Sequence, residues 1–224
     1  MRVTYLGHAS FKVDCGEKTV FIDPWLNGPT SPMKVDEINR ADIVLVTHDH
    51  GDHGYTEAIE ICKRTGATFI AINELGLQAR SQGVENVHTL NIGGSVSLGE
   101  ITVTLVHAFH SCGIGAPAGF IVKLPCGVIY HSGDTGVFSD MRLFGEMYNV
   151  DLLFIPIGSY YVCGPKEAAW ATKLVKPKMA IPMHYNTFPV IEQDPKEFDK
   201  LVAEMAPEVK VEIMSPGDSR ELKF

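Results

Sequence analysis

Ala41-Asp42-Ile43-Val44-Leu45-Val46-Thr47-His48-Asp49-His50-Gly51-Asp52-His53-Gly54 is the stretch that organises the rest of the chain. Residues 41–47 form an apolar run bounded by polar residues, the pattern of a strand buried on both faces. Four metal-ligating side chains then follow within six residues, between a strand end and a helix start. His48 and His50, at i and i+2, share one side of an extended backbone and can bind one metal together. Asp52 and His53 are adjacent, so a turn into the helix aims them at a second metal. Imidazole and carboxylate without thiolate suit zinc, and also manganese, iron or nickel. A merely solvated polar loop is a poor account of such density.

Outward from this stretch the chain alternates in a regular way. Residues 2–6, 10–15 and 19–22 read as strands, followed by a Pro-, Gly- and Asn-rich loop over 25–33. Downstream, a helix over 55–64 is stopped by Gly66, and a strand over 68–72 leads to a helix over 74–82 stopped by Gly83. Strands are expected at 87–90, 95–98, 101–107, 119–124 and 128–131. The last third reads strand 151–156, helix 165–175, strand 179–183, helix 195–205 and strand 209–214, with Pro165 and Pro195 in helical first turns. The pattern indicates sheets covered by helices, in one domain over 1–224 with two halves of about 1–115 and 116–224. Three more potential ligands end apolar runs at the same edge: His110, Asp134 and His184.

With these residues in place the sequence resembles the metallo-β-lactamase fold superfamily, whose H-x-H-x-D-H signature matches His48, His50, Asp52 and His53. The resemblance spans the whole chain. It looks most like the small branch of metal-dependent hydrolases related to the L-ascorbate-6-phosphate lactonases, on Gly7-His8, Ala108-Phe109-His110-Ser111, Gly133-Asp134-Thr135 and Met183-His184-Tyr185-Asn186. It implies an α+β fold, a four-layer αββα sandwich of two mixed β-sheets flanked by helices.

It also implies that His48, His50 and His110 hold one divalent ion, that Asp52, His53 and His184 hold a second, and that Asp134 bridges them. Zinc is the first expectation, with manganese or nickel as alternatives. His107 is the rival third histidine, but the family's Ala-x-His pattern matches His110. The implied activity is hydrolysis by a metal-bridging hydroxide, with Asp52 orienting the nucleophile and shuttling its proton. Four further residues are expected to support ligands or meet substrate: Asp23 as the carboxylate behind a ligand imidazole, His131 beside the Gly-Asp-Thr turn, His8, and Tyr160 in a mobile loop over 158–164. For His8 a buried, hydrogen-bonded histidine is preferred to a substrate contact.

Composition narrows the choice. The chain has 224 residues, 19 Lys+Arg against 27 Asp+Glu, and a net charge of −8. That balance argues against a broad grip on nucleic acid. The loops over 25–33, 111–118 and 158–164 carry no Lys or Arg, so a highly anionic head group finds no obvious partner. A small-molecule ester, lactone or phosphodiester is the expected substrate. The alternatives are a nuclease or RNA-processing enzyme with the same metals, and a non-catalytic metal-binding module. No apolar run is long enough to span a membrane and no secretory h-region is visible. Cys15, Cys62, Cys112, Cys126 and Cys163 include no C-x-x-C pair, so free thiols in a cytoplasmic protein are expected. A homo-oligomer is compatible with all of this.

Overall fold

The computed structural model describes all 224 residues. Two seven-stranded sheets face each other. The first carries β1 (Arg2–Gly7), β2 (Ser10–Cys15), β3 (Lys18–Ile22), β4 (Ile43–Leu45), β5 (Thr68–Ile72) and β6 (Val87–Leu90), with β14 (Ser219–Glu221) added beside β1. The second carries β7 (Ser95–Leu98), β8 (Ile101–His107), β9 (Ala118–Leu124), β10 (Gly127–His131), β11 (Leu152–Pro156), β12 (Met179–Met183) and β13 (Lys210–Val211). The chain passes from one sheet to the other between Leu90 and Ser95, ahead of residue 115.

Both sheets are mixed in the same way. From β14 to β3 the pairings are antiparallel, and from β3 to β6 they are parallel. From β7 to β10 they are antiparallel, and from β10 to β13 parallel. Helices α1 (Tyr55–Thr65) and α2 (Asn73–Ser81) cover the first sheet, while α3 (Met141–Tyr148), α4 (Pro165–Val175) and α5 (Pro195–Met205) cover the second. This is the four-layer αββα sandwich.

The apolar runs are where the layers need them. Val44, Leu45, Ile70 and Phe154 are buried, and Phe11 stacks on Phe154 across the sheets at a 3.8 Å centroid separation. A second apolar cluster, with Tyr130, Leu153, Ala169 and Phe198, joins the second sheet to α3–α5. Two elements are additional to the expected set. Helix α3 has only eight residues, and β14 is the polar triplet Ser-Arg-Glu, recruited by backbone pairing of Arg2, Val3 and Thr4. The strand expected over 209–214 shortens to Lys210–Val211.

The cysteine expectation fails. Cys15 and Cys126 form a disulfide with a Cα–Cα distance of 6.1 Å and a sequence separation of 111; Cys62, Cys112 and Cys163 are free. The bond joins the end of β2 to the β9–β10 turn, so it staples one sheet to the other. The free-thiol basis for a cytoplasmic placement goes with it. No helix is long and apolar enough to cross a membrane.

Closing a loop of that length restricts the unfolded chain, by roughly 4–5 kcal/mol in the chain-entropy picture. Cys126→Ser is therefore expected to lower the melting temperature by ~10 °C, given about 2–4 °C per kcal/mol at this size. Alkylation of the denatured chain should label three cysteines before reduction and five after it.

Candidate metal centre

Strand directions decide where the chemistry collects. β1, β3 and β4 run the same way in the first sheet, as do β8, β10 and β12 in the second. Their C-terminal ends release His8, Asp23, His48, His110, Asp134 and His184 at one common edge. Loops at the carboxyl ends of strands are the usual place for ligands in such sheets. A cavity of about 700 Å³ lies at the opposite edge, around Lys18, Asp42, Thr68 and Glu100 beside the disulfide, and no histidine lines it.

After β4 the chain leads through His48 to His50, whose backbone is extended, makes a 3-10 turn at Gly51–His53, and enters α1 through Gly54. Gly54 has φ +68, and a Cβ there would collide with the Pro24 backbone, so glycine is required. The turn separates the ligands as their spacing suggests. His48, His50 and His110 bring one ring nitrogen each within 4.8 Å of one another. His8, Asp52, His53 and His184 form a second such group on the same criterion. Asp134 lies between the two. Its Oδ2 is 3.0 Å from His184 Nε2, 3.3 Å from His53 Nε2 and 3.5 Å from His110 Nε2. All seven residues expected as ligands are thus brought together.

Asp23 stands behind this set. It is fully buried, with Oδ1 accepting from the Thr47 backbone N–H at 2.8 Å and Oδ2 accepting from the Thr47 hydroxyl at 2.7 Å. The same Oδ2 accepts His53 Nδ1–H at 2.7 Å, which directs His53 Nε2 toward Asp134. Burial disfavours charge on His53, but Asp134 and Asp23 at its two nitrogens outweigh it and hold the pKa well above the ordinary value. Burial likewise opposes ionisation of Asp134, yet His184 and His53 keep its carboxyl well below the carboxylate range. Burial, with His53 nearby, brings His48 down to about 2, and burial brings His8 to about 4 despite the Asp52 hydrogen bond. Those two imidazoles are neutral at pH 7, the form in which histidine donates a lone pair.

The donor set fits divalent cations on independent grounds. His53 Nε2 and Asp134 Oδ1 are buried without a hydrogen-bond partner. Such orphans are costly unless something else satisfies them. His48 Nε2 and His50 Nδ1 face each other 3.0 Å apart, two ring nitrogens at one small volume.

The remaining expected residues separate. His131 does not touch a ligand ring: its Nε2 donates to Ala9 O at 2.9 Å and its Nδ1 accepts from Gly133 N–H at 3.2 Å. It therefore shapes the turn that carries Asp134. Tyr160 is 70% exposed and packs edge-on against Tyr161 at the rim. His107 lies outside both groups, against Phe138 and Phe144, with Nε2 3.7 Å from Asp140. Cys163 is buried and Cys112 half-buried near Asp49; neither belongs to the two groups. Thr47 and Thr187 had no signal beyond their neighbours. Thr47 holds Asp23, and Thr187 Oγ1 lies 2.9 Å from His8 Nδ1.

Fold and site together define a metal-dependent hydrolase of the metallo-β-lactamase superfamily. The chain belongs to the family described as Beta-lactamase superfamily domain, whose profile matches residues 2–184. It is 49% identical to a UPF0173 metal-dependent hydrolase of Caldivirga maquilingensis, over 96% of this chain and 95% of the relative. It is 48% identical to another of Methanopyrus kandleri, over 99% of this chain and 100% of the relative. Among solved structures it resembles Igni18, a metallo hydrolase from the hyperthermophilic archaeon Ignicoccus hospitalis. That match has a TM-score of 0.91 and 37% identity, covering 99% of both chains.

Proposed function

We propose that the protein hydrolyses an ester, lactone or phosphodiester of a small substrate with two divalent ions, zinc first, manganese or nickel otherwise. His48, His50 and His110 would hold one ion, Asp52, His53 and His184 the other, and Asp134 both. The carrying observation is the pair of adjacent ligand groups with Asp134 Oδ2 between them. Two such ions supply hydroxide at neutral pH and polarise the bond under attack.

The chain's own residues do the rest. Asp52 is the one carboxylate of the set with a solvent-facing side, 25% exposed. Its Oδ2 accepts from His8 Nε2–H, which holds the carboxylate beside the ligand group, where it would take the nucleophile's proton and return it to the leaving group. The buried Asp134, His53 and His184 exclude water from the inner side. At the rim, Phe109 is 63% and Tyr161 58% exposed, and Phe109 and Phe138 lie 5.1 Å apart. Thr135 gathers these loops, accepting Phe109 N–H on Oγ1 and Cys163 N–H on its carbonyl. With no Lys or Arg in the flanking loops, that rim favours a substrate with an apolar part and without a highly anionic head group.

Chelation followed by dialysis is expected to abolish hydrolysis. Reloading should restore it at about two ions per chain. The test is a panel of esters, lactones and phosphodiesters assayed with zinc, manganese and nickel, with single-stranded RNA as the nuclease control. A fully loaded chain inactive on every member of the hydrolase panel overturns the proposal.

A further inference from the structure

The second ligand group contains a residue that the ligand set does not require. His8 is 1% exposed and follows β1 with φ +54, in the left-handed region, as does His184 with φ +55. The His8 carbonyl accepts from the Tyr5 hydroxyl at 2.8 Å and from His184 N–H at 2.7 Å. Its ring is enclosed by His184 at 3.9 Å, Trp25 at 5.2 Å and Phe188 at 5.6 Å between centroids. Backbone and ring are therefore both fixed, an expensive arrangement for a non-glycine residue in this region.

The polar contacts set the direction of the proton. Nε2 lies 3.1 Å from Asp52 Oδ2 and Nδ1 lies 2.9 Å from Thr187 Oγ1. An ionised carboxylate only accepts, so the ring N–H sits on Nε2 and the Nδ1 lone pair takes the Thr187 hydroxyl proton. The other acceptor for that hydroxyl, Tyr185 O, is farther away at 3.4 Å.

We infer that His8 is the positioning residue of Asp52: Thr187 fixes the ring, and Nε2–H holds Oδ2 and with it the orientation of the carboxylate beside His184. This rests on the metal-dependent reading above. Asp52 has no other hydrogen bond from a side chain; its Oδ2 lies 3.9 Å from His184 Nε2. Without His8 its carboxylate would turn among solvent-facing rotamers. Outer partners that orient a ligand in this way are worth about 10–100-fold in metal affinity.

The test compares His8→Leu with His8→Gln. Both side chains carry the same left-handed backbone penalty, but only glutamine restores a donor near Nε2. Zinc stoichiometry and affinity are measured by competition with a chromophoric chelator. Wild type is expected to bind two ions. His8→Leu should weaken one of them by roughly 10–100-fold while His8→Gln stays near wild type. Equal losses in both variants, or none in either, overturn the inference. A wild-type chain that binds no zinc defeats the metal reading instead. If His8→Leu fails to fold, nitrogen-15 NMR of the wild-type ring decides: a proton on Nε2 supports the arrangement, and one on Nδ1 overturns it.

Discussion

Asp52→Ala is expected to lower kcat/KM on the order of 10³-fold, about 4 kcal/mol of transition-state stabilisation, while the metal-free chain stays folded. The two halves of that expectation come from the same geometry. Asp52 sits on the 3-10 turn between β4 and α1, with a quarter of its side chain exposed and His8 as its one hydrogen-bond partner. Its removal leaves the buried His8 N–H without its acceptor, at about 1–3 kcal/mol, a loss that a core which does not include Asp52 can carry. The chemistry loses far more, because no other carboxylate in the set faces outward. Asp134 is 3% exposed and Asp23 is fully buried, so neither can receive a proton from the open side. Circular dichroism of the metal-free chain against wild type checks the fold, and steady-state kinetics on any substrate from the panel checks the loss. A variant retaining a tenth of wild-type turnover would remove Asp52 from the catalytic role.

How much of this could be read in the sequence follows from which interactions are local. The 41–54 stretch was legible because strand, ligand spacing and turn lie within one short segment, where backbone geometry alone places the side chains. His110 was preferred to His107 on pattern. The fold places them on different sides of the end of β8, His107 against Phe138 and Phe144, His110 with His48 and His50. The illegible parts are long-range. Cys15 and Cys126 are 111 positions apart, and only the facing of two sheets brings them together. β14 is too polar and short for any hydrophobic period to mark, and exists because β1 offers an open edge. His131 looked like a metal neighbour because it precedes Gly133-Asp134. Its ring instead turns inward to Ala9 and Gly133, a choice made by the sheet-to-sheet packing of Phe11 and Phe154 around it. His8 gave the weakest signal and has among the most specific contacts, since its partners Asp52 and Thr187 are distant in sequence.

Asp23→Asn separates a structural from a metal-directed role for the buried carboxylate. Asp23 receives three donors on two oxygens: Thr47 N–H on Oδ1, and the Thr47 hydroxyl and His53 Nδ1–H on Oδ2. Asparagine keeps the shape but replaces one oxygen by an NH₂. Setting that NH₂ against the Thr47 backbone N–H would oppose two donors, at about 1–3 kcal/mol, with no rotation available to the backbone. Setting it at the Oδ2 position costs less, because the Thr47 hydroxyl can turn and His53 can move its proton to Nε2, leaving Nδ1 to accept. The second arrangement therefore wins, and it caps with hydrogen the same Nε2 lone pair that the site needs for an ion. Metal affinity is expected to fall on the order of 10²-fold and turnover with it, while the variant folds. Chelator competition measures the affinity and thermal melting without metal measures the fold. Unchanged metal content and turnover would show that Asp23 serves only the packing of Thr47. Loss of both with a normal melt would show that the direction of the His53 lone pair is set from behind, by a residue that never meets the ion.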